Sequence, residues 1–274
     1  MVVVTAERLR GAWIALPYPS VGATEQILMA ASLAKGETVI ENGAVEPEVE
    51  DLASLLRKMG ADIEIADRTY RVAGANRLHG AEHELIPDRM EAGTLLLAGA
   101  ITRGAIAVEG VRSDHLVPFL GSIESSGVEL TVDDETVAVG GLARPLPIDV
   151  VTAPHPGFPT DLHPPLTAYL ALAAGSSSLV EAVFEGRFAY TDALCEMGAR
   201  ITRSGTALTI DGVESLQGRT VAATDIRGGA AMVLAGLAAD GYTTVTQLDH
   251  IGRGYARLEE KLTSLGAKIE RHDE

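Results

Sequence analysis

One short pattern recurs four times along this chain and constrains its fold more than any other feature. It reads LRKMGADI at 56–63, IESSGVEL at 123–130, LCEMGARI at 194–201 and LTSLGAKI at 262–269. Its glycines, Gly60, Gly127, Gly198 and Gly266, fall roughly 70 residues apart, a period that marks a repeated structural unit. Each copy reads as the end of an amphipathic helix. The glycine takes the left-handed position after the last turn, where it meets no Cβ strain. An alternating strand follows, as in Ala61-Asp62-Ile63-Glu64-Ile65 or Ala267-Lys268-Ile269-Glu270.

A second helix precedes each copy: ATEQILMAASLAKG (23–36), EAGTLLLAGAITRG (91–104), DLHPPLTAYLALAAG (161–175) and RGGAAMVLAGLAADG (227–241). All are rich in Ala and Leu and close on Gly36, Gly104, Gly175 or Gly241. They are apolar nearly all round, which predicts burial rather than a surface position. A strand leads into each, three of them opening with Leu-x-Gly at Gly11, Gly80 and Gly218. The unit is strand–helix–strand–helix–strand–strand, with boundaries near 8–77, 78–144, 145–215 and 216–274. A lone unit cannot bury such a helix, so the expected class is α/β (α+β), with sheets outside and helices inside.

Composition narrows the function. Hydrophobic residues make up 46% of 274, enough for a substantial core. With aromatics at 4% and 29 glycines, that core is built from small and branched aliphatic side chains. A net charge of −16 disfavours nucleic acid and anionic membrane as partners. No apolar run approaches the roughly 20 residues of a membrane span. The stretch from Met1 to Trp13 lacks a secretory h-region, and the single Cys gives no disulfide framework. The expectation is a cytoplasmic protein. Cys195, within ALCEMGA, reads as a small core residue. The His residues show no metal-ligand spacing, so no metal is expected.

The segments PSVGAT (19–24), ENGAVEPEVEDLASLLRKMGA (41–61), IPDRMEAGT (86–94), APHPGFPTD (153–161), VFEGRF (183–188), ATDIRGGAAMVLAGL (223–237) and HIGRGY (250–255) resemble UDP-N-acetylglucosamine enolpyruvyl transferases of the MurA type. The resemblance runs along nearly the whole chain in the family's order. It implies the inside-out α/β barrel of the enolpyruvyl transferases, with two lobes of three βαβαββ repeats and a cleft between them. Four repeats are recognisable here. Residues 1–77 then correspond to the last repeat of one lobe and 78–274 to a complete three-repeat lobe. The resemblance also implies that the family's catalytic Cys belongs to a region outside these segments.

The strand-to-helix loops place unpaired N–H groups and the positive helix end where anions bind. By resemblance, Pro19, Ser20, Val21 and Gly22 hold the nucleotide, although Ser20 also reads as a plain N-cap. Asp161 in FPTD is the candidate general base, against the commoner role of Asp as an N-cap. His163-Pro164-Pro165 departs from the family pattern just after it. Val183, Phe184 and Arg187 lie on the nucleotide sugar by the same likeness. Arg227 and Arg253 fit phosphoenolpyruvate, since guanidinium forks match phosphate and carboxylate, and Asp225 is placed to orient Arg227. Gly252 stands where the family usually has Asp. Asp88, Arg89, Glu46 and Glu48 read as structural or hinge residues.

The resemblance therefore implies transfer of enolpyruvate from phosphoenolpyruvate to the 3-hydroxyl of UDP-N-acetylglucosamine, with phosphate released and no cofactor, by a chain expected to be incomplete on its own. The competing readings are a nucleotide-sugar-binding relative without catalysis and the C-terminal half of a split transferase. The unpartnered first repeat predicts exposed apolar helix surface, covered by self-association or by an N-terminal complementing chain.

Overall fold

The repeated glycine ends its helix in the same way each time. In the computed structural model, which describes residues 3, 5–133, 135–140 and 144–272, Gly60, Gly127, Gly198 and Gly266 have φ between +90° and +101°. Gly60 N–H donates to Arg57 O and Ala61 N–H to Leu56 O, both at 2.9 Å. The same two bonds recur at Gly198 with Cys195 and Ala199 with Leu194, and at Gly266 with Thr263 and Ala267 with Leu262. This paired closure satisfies the last carbonyls of each helix and turns the chain into the next segment.

The chain divides into two compact units. The first comprises 1–86 with 154–156. It runs β1 (Trp13–Ala15), α1 (Val21–Ala31), β2 (Glu37–Glu41), α2 (Pro47–Lys58), β3 (Asp62–Ala66) and β4 (Thr69–Ala73), one βαβαββ unit with sheet order β1-β2-β4-β3. Its core gathers Leu28, Ile40, Val49, Leu56, Tyr70 and Val72. The segment after β4 stays with this unit: His79 N–H donates to Met59 O at 3.0 Å, Leu78 joins the core, and His83 pairs with Asp51 at 2.9 Å. The unit accordingly extends past 77 to Ile86. Burial of α1 is partial, less than its all-round apolar sequence predicts and in line with the exposed apolar surface expected of the first repeat: Leu28 and Ala31 are buried, while Met29 and Leu33 just beyond the helix end are exposed, as are Leu9 and Trp13. One sheet covers one side of a helix, and the first core reaches only that face.

The second unit comprises 87–153 and 157–274. Its elements are α3 (Arg89–Ile101), β5 (Ile106–Glu109), α4 (Val117–Ser125), β6 (Glu129–Asp133), β7 (Thr136–Gly140), β8 (Asp149–Val151), α5 (His163–Leu170), β9 (Ser176–Val180), α6 (Tyr190–Glu196), β10 (Arg200–Ser204), β11 (Ala207–Asp211), β12 (Leu216–Gln217), β13 (Thr220–Ala222), α7 (Ile226–Ala238), β14 (Ala239–Asp240), β15 (Thr244–Thr246), α8 (Asp249–Gly252) and α9 (Leu258–Ser264). The apolar helices α3, α5 and α7 pack on one another in the interior. Every described residue of α5 is buried. The sheets β5-β7-β6 and β10-β11-β9-β8 and the parallel pairs β12-β14 and β13-β15 contribute to the same core. This is the helices-inside layering expected from the sequence, a mixed α/β fold.

Two expected strands are not formed. Residues 267–270 carry the alternating pattern, but the repeat's closing strand, supplied elsewhere by β4, β7 or β11, has no equivalent among the described residues here. A strand without a ladder partner has nowhere to place its backbone bonds. The leading strand expected around Gly80 is also absent. At Gly11 and Gly218 the backbone lies so close to a neighbouring segment that a Cβ would be 2.0 Å from Glu37 O and 2.3 Å from Tyr242 O. A Cβ at Gly80 would meet nothing within 4 Å. Cys195 is corrected as well: it is exposed on α6, on the face turned from the core.

Candidate active site

Helix starts assemble the site. Asp225 caps α7, its Oδ1 accepting from Arg227 N–H and Gly228 N–H, both at 2.9 Å. The cap fixes the first turn, from which the Arg227 side chain leaves the helix. Asp161 sits in a one-turn 3-10 helix, Thr160–Leu162, ahead of α5. The prolines after His163 fall in the first turn of α5, where a missing N–H costs nothing.

Asp161 meets two guanidiniums. Arg187 Nη1 donates to its Oδ1 at 2.5 Å and Arg227 Nε to its Oδ2 at 2.9 Å. Burial raises the carboxyl, but the charges of Arg187 and Arg227 outweigh it and hold Asp161 below the ordinary carboxylate value. Both arginines rest on aromatic faces. Arg187 lies 5.6 Å from the Phe184 ring centre and Arg227 5.1 Å from that of Tyr255. Tyr255 is tied in turn to α3 through its hydroxyl, 2.9 Å from Thr94 Oγ1. A Cβ at Gly254 would lie 2.3 Å from Ile226 Cγ2, so only glycine lets this loop approach the start of α7.

Asp161, Arg187, Arg227 and Phe184 therefore come together. Val183 lies on the same loop as Phe184. Arg253 follows α8, is exposed, and makes no side-chain ion pair or hydrogen bond among the described residues. In the first unit, Ser20 caps α1, its Oγ accepting from Ala23 N–H at 3.3 Å, with Pro19 before it and Val21 and Gly22 opening the helix. Gly22 is exposed, and a Cβ there would meet nothing within 4 Å. Asp88 caps α3 through Met90 N–H and Glu91 N–H, Arg89 is buried, and Glu46 accepts from His155 N–H at 3.2 Å.

Sequence reasoning passed over Glu181, His163 and Tyr255. Glu181 directly follows the alternating strand β9, and a charged residue at a position that the alternation turns inward was the available signal. His163 Nε2 lies 3.2 Å from Glu181 Oε2, with both side chains fully buried. Burial pushes the His163 imidazolium down, and the Glu181 carboxylate opposes this. Among the described residues no group of His, Cys, Asp and Glu is arranged to hold a metal ion. No helix among them is long and apolar enough to cross a membrane.

The model of the family described as EPSP synthase (3-phosphoshikimate 1-carboxyvinyltransferase) matches residues 1–262. The chain belongs to the EPSP synthase family. Within that family it is similar to UDP-N-acetylglucosamine 1-carboxyvinyltransferase 2 of Carboxydothermus hydrogenoformans, 49% identical over 273 residues, covering 98% of this chain and 65% of the relative. It is 48% identical over 264 residues to UDP-N-acetylglucosamine 1-carboxyvinyltransferase 1 of Staphylococcus aureus, covering 96% and 63%. The chain thus spans just under two thirds of the length of these relatives. Among solved structures, the enolpyruvyl transferase NikO from Streptomyces tendae superposes with a TM-score of 0.88 at 30% identity, covering 97% of this chain and 66% of that one. EPSP synthase from Acinetobacter baumannii, at 21% identity and a TM-score of 0.76 over 97% of this chain and 64% of that one, shares the fold.

Proposed function

We propose that this chain is part of a UDP-N-acetylglucosamine 1-carboxyvinyltransferase. The reaction joins the 3-hydroxyl oxygen of UDP-N-acetylglucosamine to C2 of phosphoenolpyruvate while a proton adds to C3. Loss of phosphate and of a C3 proton then leaves the enol ether, the first committed product of peptidoglycan synthesis. Both substrates are soluble anions, which fits a cytoplasmic enzyme without a cofactor.

The observation that carries the reading is Asp161 held ionised between Arg187 and Arg227 in a chain nearly half identical to enzymes of that name. Each carboxylate oxygen has two lone pairs, so each keeps an acceptor position after its arginine bond. A carboxylate of lowered pKa is a weak base. Its part is to receive the hydroxyl proton as the new C–O bond makes that hydroxyl acidic. Arg227 and Arg253 would neutralise phosphoenolpyruvate, since a guanidinium offers forked donors to phosphate or carboxylate. In the first unit, Pro19, Ser20, Val21 and Gly22 would bind the nucleotide, with free N–H groups at the start of α1 supporting its phosphates. In the second, Val183, Phe184, Arg187 and Asp225 would contact the nucleotide sugar.

The test is phosphate release from phosphoenolpyruvate with UDP-N-acetylglucosamine, with and without an N-terminal fragment of a complete relative, and with shikimate 3-phosphate as the competing acceptor. The reading expects product only with the nucleotide sugar, abolished by Asp161→Ala. Turnover with shikimate 3-phosphate instead, or an unchanged rate in Asp161→Ala, overturns it. Calorimetric binding of UDP-N-acetylglucosamine with no turnover even when the N-terminal fragment is supplied replaces it with the binding-module reading.

A further inference from the structure

Glu181 has no role in the chemistry above, yet it joins both loops that carry the site. It is 1% exposed. Its Oε1 accepts from Thr152 Oγ1 at 2.9 Å and from Val183 N–H and Phe184 N–H at 2.7 Å each. Its Oε2 accepts from Thr160 Oγ1 at 2.7 Å, one residue before Asp161. One carboxylate thereby fixes the Thr160–Asp161 turn against the Val183–Phe184 loop. A buried charge is retained only when such bonds compensate its lost hydration.

Proton counting extends the network. Thr167 has one hydroxyl proton, and it goes to the carbonyl of His163 at 2.9 Å. The contact between Thr167 Oγ1 and Tyr190 OH, also 2.9 Å, is therefore donated by Tyr190. With that proton committed, Tyr190 accepts at its 3.0 Å contact with His163 Nδ1, so Nδ1 carries hydrogen. Nε2 then faces Glu181 Oε2 at 3.2 Å and has no hydrogen-bond partner. Without one more proton, two lone pairs would oppose each other in a dry interior. Asp161, Arg187 and Asp225 are the other charged groups acting on this imidazole.

We propose that Glu181 and His163 are a positioning pair: they hold one proton in common, and through it the buried imidazole braces the carboxylate that sets Asp161 and the Val183–Phe184 loop. The kinetic consequence rests on the transferase reading; the proton rests on geometry alone.

Nitrogen-15 NMR of histidine-labelled protein tests the proton directly. The expected spectrum has Nδ1 protonated and a slowly exchanging proton bridging Nε2 near neutral pH, the latter lost in Glu181→Ala. A ring protonated only at Nε2, or a bare Nε2 with no bridging proton, overturns the pair. Kinetics test the positioning. His163→Leu and Glu181→Gln are expected to lower kcat by about 10- to 100-fold with a small change in KM, the scale of a misplaced catalytic group. His163→Gln, whose amide still offers an N–H to Oε2, is expected to recover most of that loss. Unchanged kcat in both His163→Leu and Glu181→Gln overturns the proposal. So does equal loss in His163→Gln and His163→Leu. If the parent shows no transferase turnover even with an N-terminal fragment of a complete relative, that reading fails by itself, and the NMR outcome still decides the proton.

Discussion

Arg227 Nε and Asp161 Oδ2 lie 2.9 Å apart although 66 residues separate them in the chain. The start of α7 thus donates to the turn before α5. Arg227 is the more buried partner, its side chain 12% exposed against 32% for Asp161. Removing Asp161 strands a mostly buried guanidinium. Asp161→Ala is expected to lower stability by about 1–2 kcal/mol, since the partial exposure of the pair dilutes the larger cost of a fully buried one. Urea denaturation would read this as a lower midpoint at constant slope.

The pH dependence follows from the direction of the Asp161 shift. Its folded pKa lies below the ordinary value of about 3.9, because the two arginines outweigh burial. A depressed folded value means that its contribution to stability is present above the unfolded pKa and is lost as pH falls through the folded one. Between about pH 5 and 8 Asp161 should add no slope to either stability or kcat. Melting temperatures of parent and Asp161→Asn across that range would show a constant difference, narrowing only in stronger acid.

Gly254→Ala is expected to impair the site more than the fold. The new Cβ would stand 2.3 Å from Ile226 Cγ2, and the loop must lift from α7, taking Tyr255 away from Arg227. A displacement on the order of 1 Å in a positioning group costs up to about 100-fold in rate. Steady-state kinetics should show the loss in kcat/KM for phosphoenolpyruvate, with the circular dichroism spectrum intact.

Tyr190→Phe removes the hydroxyl that links Thr167 and His163 in a fully enclosed place. An unsatisfied buried polar group costs about 1–3 kcal/mol, here at His163 Nδ1. Thermal unfolding should fall by several degrees.

The architecture was readable because its determinants are local. The helix stops at Gly60, Gly127, Gly198 and Gly266 each need a positive φ, and a residue without Cβ announces that in the sequence. The buried helices announced themselves by lacking a polar face, and α5 and α7 are covered accordingly. Residues 267–270 misled, because alternation describes a surface for pairing and says nothing of a partner. Cys195 misled because a helix of seven residues offers little periodicity from which to choose a face.

At the site, Asp161, Arg187 and Arg227 were legible from their motifs, and their convergence was not. The Glu181–His163 contact spans 18 positions and arises from the return of β9 beside the turn at Thr160, a matter of topology. His163 looked like a disturbance in a helix start. Its ring instead faces inward, between Tyr190 and Glu181.

The recurring glycine corner also bears on how the chain acquires its shape. Each corner closes through bonds to carbonyls three and five positions back, as at Gly60 and Ala61. Contacts of so short a reach form on the timescale of helix growth, about a microsecond or less, whereas parallel neighbours such as β1 and β2 must first bring distant segments together. Such bends can form ahead of the sheets, but short isolated helices are marginal in water, so each crease is kept only once a layer closes over it.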